Sequence, residues 1–327
     1  ESGLAALPLV GAYALLYRRG RGEHRLWLGI LGVAAAGCGA FLWARFHLAP
    51  VESVIFTRKP QPIATGAVEL LVTQCRIWTA EFLRIVWPVD LCPDYGPYLL
   101  RNIDRTGAVV TVSLVVAVQA VLAWRSRGMA LAAALFWFPL LPVSNFIPIY
   151  RPMADRFLYL PLTGVALAAA LGLAAAFARC RRPAIVWLTA VLAALPLLAL
   201  SARTVGQLPH WKSELALWTE AVRVNPFSET AQINLGWALY NAGRLEEAIP
   251  HLNRAAELTH RQYAPPFAAF AMVADAQGRT LEAVNALLQA EKLDPRYREP
   301  EQLVHALSLT PAQAARLKVI ALHYAPL

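Results

Sequence analysis

Three short basic loops, each joining two long apolar runs, limit what this chain can fold into more than any other feature. Arg18, Arg19, Arg21 and Arg25 lie between the runs 3–17 and 26–48, Arg125 and Arg127 between 107–124 and 129–150, and Arg179, Arg181 and Arg182 between 157–178 and 184–202. About 20 apolar residues cross the hydrocarbon core of a bilayer, and a backbone crossing it must satisfy its own hydrogen bonds, which selects helices. Short loops rich in Arg and Lys stay on the cytoplasmic side. With six spans all three loops fall on one side. A rival seventh span, 63–88, carries Glu69, Arg76, Glu81 and Arg84, each expensive at mid-bilayer. Crossing there would also place the first basic loop opposite the other two. The expectation is therefore an interfacial or re-entrant helix over 63–88 on the outer face, with 49–106, the 151–156 connection and everything after 202 outside.

Composition agrees. The 327 residues are 57% hydrophobic and 16% charged, well below the ~25% charged of a soluble domain. The net charge of +9 divides into 19 basic and 9 acidic residues before position 205, and 11 and 12 after it. Most of the excess sits in the three loops, so it is a topology signal, and no nucleic-acid partner is expected. Cys38, Cys75, Cys92 and Cys180 form no CxxC pair and lie at no metal spacing. The sequence thus points to no metal site and makes no cofactor evident, leaving a divalent cation open. A Cys75–Cys92 disulfide also stays open. No signal peptide precedes the first run, and the chain is expected to begin inside a longer protein.

After residue 205 the pattern becomes charged, Ala- and Leu-rich helices with an internal repeat. Gly243-Arg244-Leu245-Glu246-Glu247-Ala248 returns 35 residues later as Gly278-Arg279-Thr280-Leu281-Glu282-Ala283, and Asn225-Pro226 returns as Asp294-Pro295. This is the period of tetratricopeptide repeats. The expectation is an initial half-repeat at 211–224, a repeat near 229–260, a degenerate one near 263–294 and closing helices within 300–324. So short a solenoid needs caps to bury its faces. Its simplest role is binding a protein or peptide, with a structural lid as the alternative. The fold class expected is all-α: a polytopic transmembrane helical domain over 1–205, then a tetratricopeptide α-solenoid over 206–327.

The densest chemistry lies in LLPVSNFIPIYRPMADRFLYLP, residues 140–161. Prolines interrupt two apolar runs around Arg151, Asp155 and Arg156, with Asn145, Tyr150 and Tyr159 alongside. Irregular backbone at membrane depth is tolerated where it is buried in protein or lines a watered cavity. Guanidinium groups offer paired donors to phosphate oxygens. Two readings stay open: a site for a phosphate head group, or an ordinary Asp155–Arg156 pair ending two helices while Arg151 snorkels.

MADRFLYLP preceded by LLPVSN, ESG at residues 1–3, LRIVWPVDLCPDYGPY at residues 83–98 and the trailing repeats together resemble the bacterial branch of the transmembrane and tetratricopeptide-repeat protein O-mannosyltransferases, C-type glycosyltransferases. The resemblance implies transfer of a sugar from a polyprenyl-phosphate donor in the membrane lipid to a protein acceptor. It further implies a bacterial inner-membrane location, with the repeats periplasmic and engaging an acceptor or partner. Asp155, Arg156, Tyr159 and Pro161 match the family's M-A-(D/E)-R-x-L-Y-(L/I)-P block, and Glu1 matches the edge of a Lys-Glu-x-Gly block. Trp87, Pro88, Asp94 and Tyr95 match a stretch that borders the sugar or acceptor or is a Pro-rich turn. The family's usual catalytic carboxylate stands in an earlier outer loop, so the catalytic residue is unknown here and expected upstream of Glu1. Arg151 and Arg156 are the candidates for the phosphate, with Asp155 holding Arg156. The alternative function is a non-enzymatic, membrane-anchored tetratricopeptide scaffold.

Overall fold

The computed structural model describes residues 66–95, 100, 102–145, 153–179, 182–298 and 311–322. The runs 3–17 and 26–48 and the candidates Glu1 and Arg151 lie outside them. The described residues are helical with no strand, in two compact units. The first contains residues 66–91 and 100–207; the second contains 92–95 and 208–322.

The first unit is built from α1 (Ala67–Val86), α2 (Arg105–Arg125), α3 (Arg127–Trp137), α4 (Tyr159–Arg179) and α5 (Pro183–Gln207). Asp104 caps α2 by accepting from Gly107 N at 2.7 Å, and Ser126 alone separates α2 from α3, capping the latter through Met129 N. Side-chain acceptors of this kind satisfy amide groups that a helix leaves open at its start. Among the described residues, three helical stretches, Arg105–Arg125, Asp155–Arg179 and Pro183–Trp211, are long and apolar enough to cross a membrane. The run expected over 129–150 is shorter: α3 passes into a 3-10 turn at Phe138–Leu140 and the apolar helix stops there. Pro139 and Pro142 are the cause, since each lacks the N–H that would continue the ladder.

The segment expected as an interfacial helix forms α1. Gln74 and Glu81 face inward together with Ile77 and Ala80, while Val68, Leu71, Leu83 and Val86 are exposed. Its inner face packs Trp78, Phe82 and Ile85 on Phe136, Leu140, Val143 and Leu158. Trp78 meets Trp137 edge to face at 5.3 Å, and Trp137 Nε1 donates to Gln119 of α2 at 2.6 Å. The crossing of α3 and α4 is set by Gly164, where a Cβ would lie 2.5 Å from Ala132 O and 2.7 Å from Phe136 N. Small residues let membrane helices approach this closely.

The second unit stacks α6 (Glu214–Val224), α7 (Glu229–Asn241), α8 (Leu245–Leu258), α9 (Pro265–Ala276), α10 (Thr280–Leu293) and α11 (Pro311–Leu322). The repeat is visible at its turns. Gly243 and Gly278 both take positive φ, +72° and +73°, a conformation glycine reaches without penalty. Each is followed by an arginine whose N–H closes the preceding helix, Arg244 N on Leu239 O and Arg279 N on Ala274 O. Asn225 Oδ1 accepts from Phe227 N at 3.2 Å and Asp294 Oδ1 from Arg296 N at 3.1 Å, the same side-chain-closed turn. Gly236 packs directly on Leu252, locking α7 to α8. The segment 92–95, from the connection after α1, belongs to this unit: Asn225 Nδ2 donates to Tyr95 O at 2.8 Å, and Ser228 Oγ to Asp94 Oδ2 at 2.5 Å.

Candidate functional site

The polar groups of the first unit converge where α1 meets the connection between α3 and α4. Their placement follows from helical spacing: Gln74, Trp78, Glu81 and Phe82 recur at intervals that put them on one face. At one end Asn145, in the left-handed region at φ 57°, sends Nδ2 to Gln74 Oε1 at 3.0 Å. With its amide turned over, Gln74 instead donates to Ser144 O at 2.8 Å and accepts from Trp78 Nε1 at 3.0 Å. Nearly three turns on, Arg84 Nη1 approaches Met153 Sδ at 3.4 Å. Asp155 opens the 3-10 turn Asp155–Leu158 that leads into α4, fixed by Phe157 N on Ala154 O at 3.0 Å.

Between these lies Glu81, only 3% exposed, with no hydrogen-bond or ion-pair partner among the described residues. Burial pushes its carboxyl up to about 8, with the Arg84 guanidinium pulling the other way and the Asp155 carboxylate adding to the rise. A carboxyl raised in this way by burial holds a proton near neutrality and can release it there. Sequence reasoning had set Glu81 and Arg84 aside as membrane-crossing costs. The signal that finds them is their spacing from Gln74, since positions 74, 81 and 84 fall toward one side of the helix.

Asp155, Arg156 and Tyr159 do not all point the same way. Asp155 is half-buried beside α1. Arg156 is exposed and lies over the Phe157 ring at 5.0 Å, and Tyr159 is 76% exposed. Successive residues of a 3-10 turn project about 120° apart, and Asp155 is half-buried where Arg156 is exposed. Asp94 and Tyr95 belong to the second unit. They are buried in the second unit, where Tyr95 Oη accepts from Cys92 N at 3.1 Å and the Asp94 carboxylate takes the Ser228 hydroxyl. Cys75 and Cys92 are free thiols, so the disulfide left open by the sequence does not form.

A tetratricopeptide repeat family model matches residues 230–261, covering α7 and α8. Among curated proteins, the chain is 29% identical over 232 residues to the protein O-mannosyl-transferase Tmtc3 of Drosophila melanogaster, covering 66% of this chain and 25% of the relative. A protein O-mannosyl-transferase of Caenorhabditis elegans is 24% identical over 256 residues, 76% of this chain and 35% of its own length. Human TMTC3 is 27% identical over 64% of this chain and 23% of its own. The chain is a distant relative of these transferases. It spans a quarter to a third of the length of these curated relatives. The match reaches well beyond the 32-residue repeat, so the likeness to the O-mannosyl-transferases includes apolar helices as well as solenoid.

Proposed function

We propose that this chain is part of a membrane glycosyltransferase that moves a sugar, mannose by its relatives' names, from a polyprenyl-phosphate donor to a protein acceptor. One observation supports this reading above the others: a buried carboxyl, Glu81, lies within electrostatic reach of Arg84 and Asp155 next to the MADRFLYLP block, in a unit of apolar helices. Glycosyl transfer from a lipid phosphate forms a bond from the anomeric carbon to the acceptor oxygen. The bond to the phosphate oxygen breaks, the lipid phosphate leaves with the electron pair, and the acceptor hydroxyl proton goes to a carboxylate. Cations stabilise the leaving phosphate. Arg151, Arg156 and Arg84 are the candidates for that contact, Tyr159 borders it, and Asp155 and Glu81 set the charge between them. The tetratricopeptide unit binds the acceptor or a partner protein, on the periplasmic side of a bacterial inner membrane.

The test is transfer from a polyprenyl-phosphate sugar by the full-length protein carrying Arg156→Lys, Asp155→Asn or Arg84→Lys. A loss of at least tenfold in turnover, with folding retained, is expected for Arg156→Lys and Arg84→Lys. Unchanged turnover in all three removes the cluster from the reaction, and absence of transfer by the unaltered full-length protein leaves the membrane-anchored scaffold as the function.

A further inference from the structure

The first turns of α1 and α2 leave an open groove of about 690 Å³ between them, lined by Gly66, Val68, Glu69, Val72, Arg105 and Val109 among others. Positions 68, 69 and 72 of α1 and 105, 106 and 109 of α2 share one spacing, which holds each set on one face of its helix. Binding sites for small molecules span about 300–1,000 Å³ and are largely preformed. Here the walls are held in place by hydrogen bonds further along. Arg76 donates to Leu100 O and, at 2.9 Å, to Ile103 O, and Thr79 Oγ1 donates to Ala108 O at 3.5 Å. The two charged groups of the groove face each other: Arg105 Nη2 meets Glu69 Oε1 at 3.3 Å, with the arginine side chain 68% and the glutamate side chain 47% exposed.

The depth of the groove follows from α2. Arg105 opens and Arg125 closes a stretch long and apolar enough to cross a membrane. Arginines at the ends of such a stretch sit at the level of the lipid head groups. Val109 lies one turn further in, about 6 Å deeper, and both it and Val68 are exposed. The groove therefore runs from head-group level to acyl-chain level with its apolar walls open, and at that depth its neighbour is a lipid. It is open at Gly66 as well, where a Cβ would meet nothing within 4 Å.

We propose that this groove holds one membrane phospholipid with a phosphoethanolamine head group, its phosphate on Arg105, its ammonium on Glu69 and one acyl chain along Val68, Val72 and Val109. An exposed ion pair contributes little by itself, so Glu69 and Arg105 part readily to take the two charges of the head group. The guanidinium donates to phosphate oxygens, and the ammonium N–H groups donate to the carboxylate. A purely anionic head group would leave Glu69 facing a negative charge. A quaternary ammonium would bring no N–H for the carboxylate to accept. The groove shares no residue with the cluster of Glu81, Arg84 and Asp155, so this inference rests on the membrane placement of the first unit and not on sugar transfer.

The test is native mass spectrometry of the purified, delipidated full chain titrated with phosphatidylethanolamine, phosphatidylcholine and phosphatidylglycerol of identical acyl chains. The first phosphatidylethanolamine is expected to bind with a Kd at least tenfold below that of the other two. Gly66→Trp places a ring in the groove from an extended backbone position, φ −147°, and should remove this preference, whereas Gly66→Ala should keep it. Glu69→Gln leaves the shape of the groove unaltered and should bring phosphatidylethanolamine down to the affinity of phosphatidylcholine, which reads the site even if Gly66→Trp fails to fold. Equal affinity for the three lipids overturns the proposal, as does a preference that persists in a folded Gly66→Trp or in Glu69→Gln. A polyprenyl phosphate that displaces phosphatidylethanolamine from the unaltered chain and fails to bind folded Gly66→Trp overturns it too, since the groove is then a donor site.

Discussion

Asn225 donates its side-chain amide to the backbone carbonyl of Tyr95 at 2.8 Å, across 130 positions of sequence. Its Oδ1 meanwhile closes its own turn on Phe227 N, so one buried amide serves a local and a remote contact. The neighbouring Ser228 hydroxyl works the same way, capping α7 through Ala231 N at 2.9 Å while donating to Asp94.

Because these groups are buried, removing one partner strands the other. Asn225→Ala is expected to cost about 1–3 kcal/mol of the second unit's stability, read as a lower midpoint in thermal or denaturant unfolding by tryptophan fluorescence. A midpoint unmoved by the substitution would make the Tyr95 contact dispensable.

Glu81 gives a pH dependence with a definite sign. Its folded value of about 8 stands above the ordinary 4.5. Between those values the folded chain holds a proton that the unfolded chain has lost. The stabilisation is therefore complete below about pH 4.5 and lost as pH rises through about 8, at up to about 1.4 kcal/mol per pH unit. Unfolding in detergent at a series of pH values should show this decline in the unaltered chain and a flatter profile in Glu81→Gln. The same slope in both proteins counts against it.

At the α3–α4 crossing, Gly164→Ala brings a Cβ against backbone atoms that cannot rotate away. The expected cost is about 1–3 kcal/mol. Gly172 lies on the same helix with nothing within 4 Å of its Cβ position, so Gly172→Ala should leave the melting midpoint unchanged or raise it. Equal effects at the two sites would show that helix propensity, and not the crossing, is being measured.

In the solenoid, a Cβ at Gly236 would sit 2.4 Å from Leu252 Cδ2. Gly236→Ala should cost about 1–3 kcal/mol and Leu252→Ala about 2–5 kcal/mol. Together they should cost less than their sum, because the added methyl group enters the space that leucine leaves. Additive losses in a double-mutant cycle would mean that the two residues do not interlock.

The proposed orientation predicts that reporter fusions at Arg127 and at Gly206 read opposite sides of the membrane. The same side for both would overturn the loop-charge argument.

The sequence read most clearly where structure is local. Apolar length marked the runs that became α2, α4 and α5, and the 35-residue shift placed the glycines and Asx turns of the repeats, because backbone conformation at such positions depends on one or two residues. It read α3 too long, since the apolar count continued through Pro139 and Pro142 while the hydrogen-bond ladder did not. It missed Glu81 as chemistry because, in one dimension, a charge in an apolar helix looks like a cost. Only packing shows which side of the helix it occupies. The docking of Asp94 and Tyr95 into the repeat unit was equally hidden, as it joins residues that no spacing relates.

The two matching turns share a backbone and differ in what their side chains serve. Asn225 gives its amide protons to carbonyl oxygens of Asp94 and Tyr95, whereas Asp294 gives its carboxylate to the guanidinium of Arg296. Exchanging them would leave both loops closed on the following amide and both outer contacts wrong, a carboxylate set against two carbonyls and a neutral amide beside an arginine. The repeats are interchangeable as folded units but not as docking sites, so a chimera built by shuffling them should fold at its turns and lose its hold on the segment from 92 to 95.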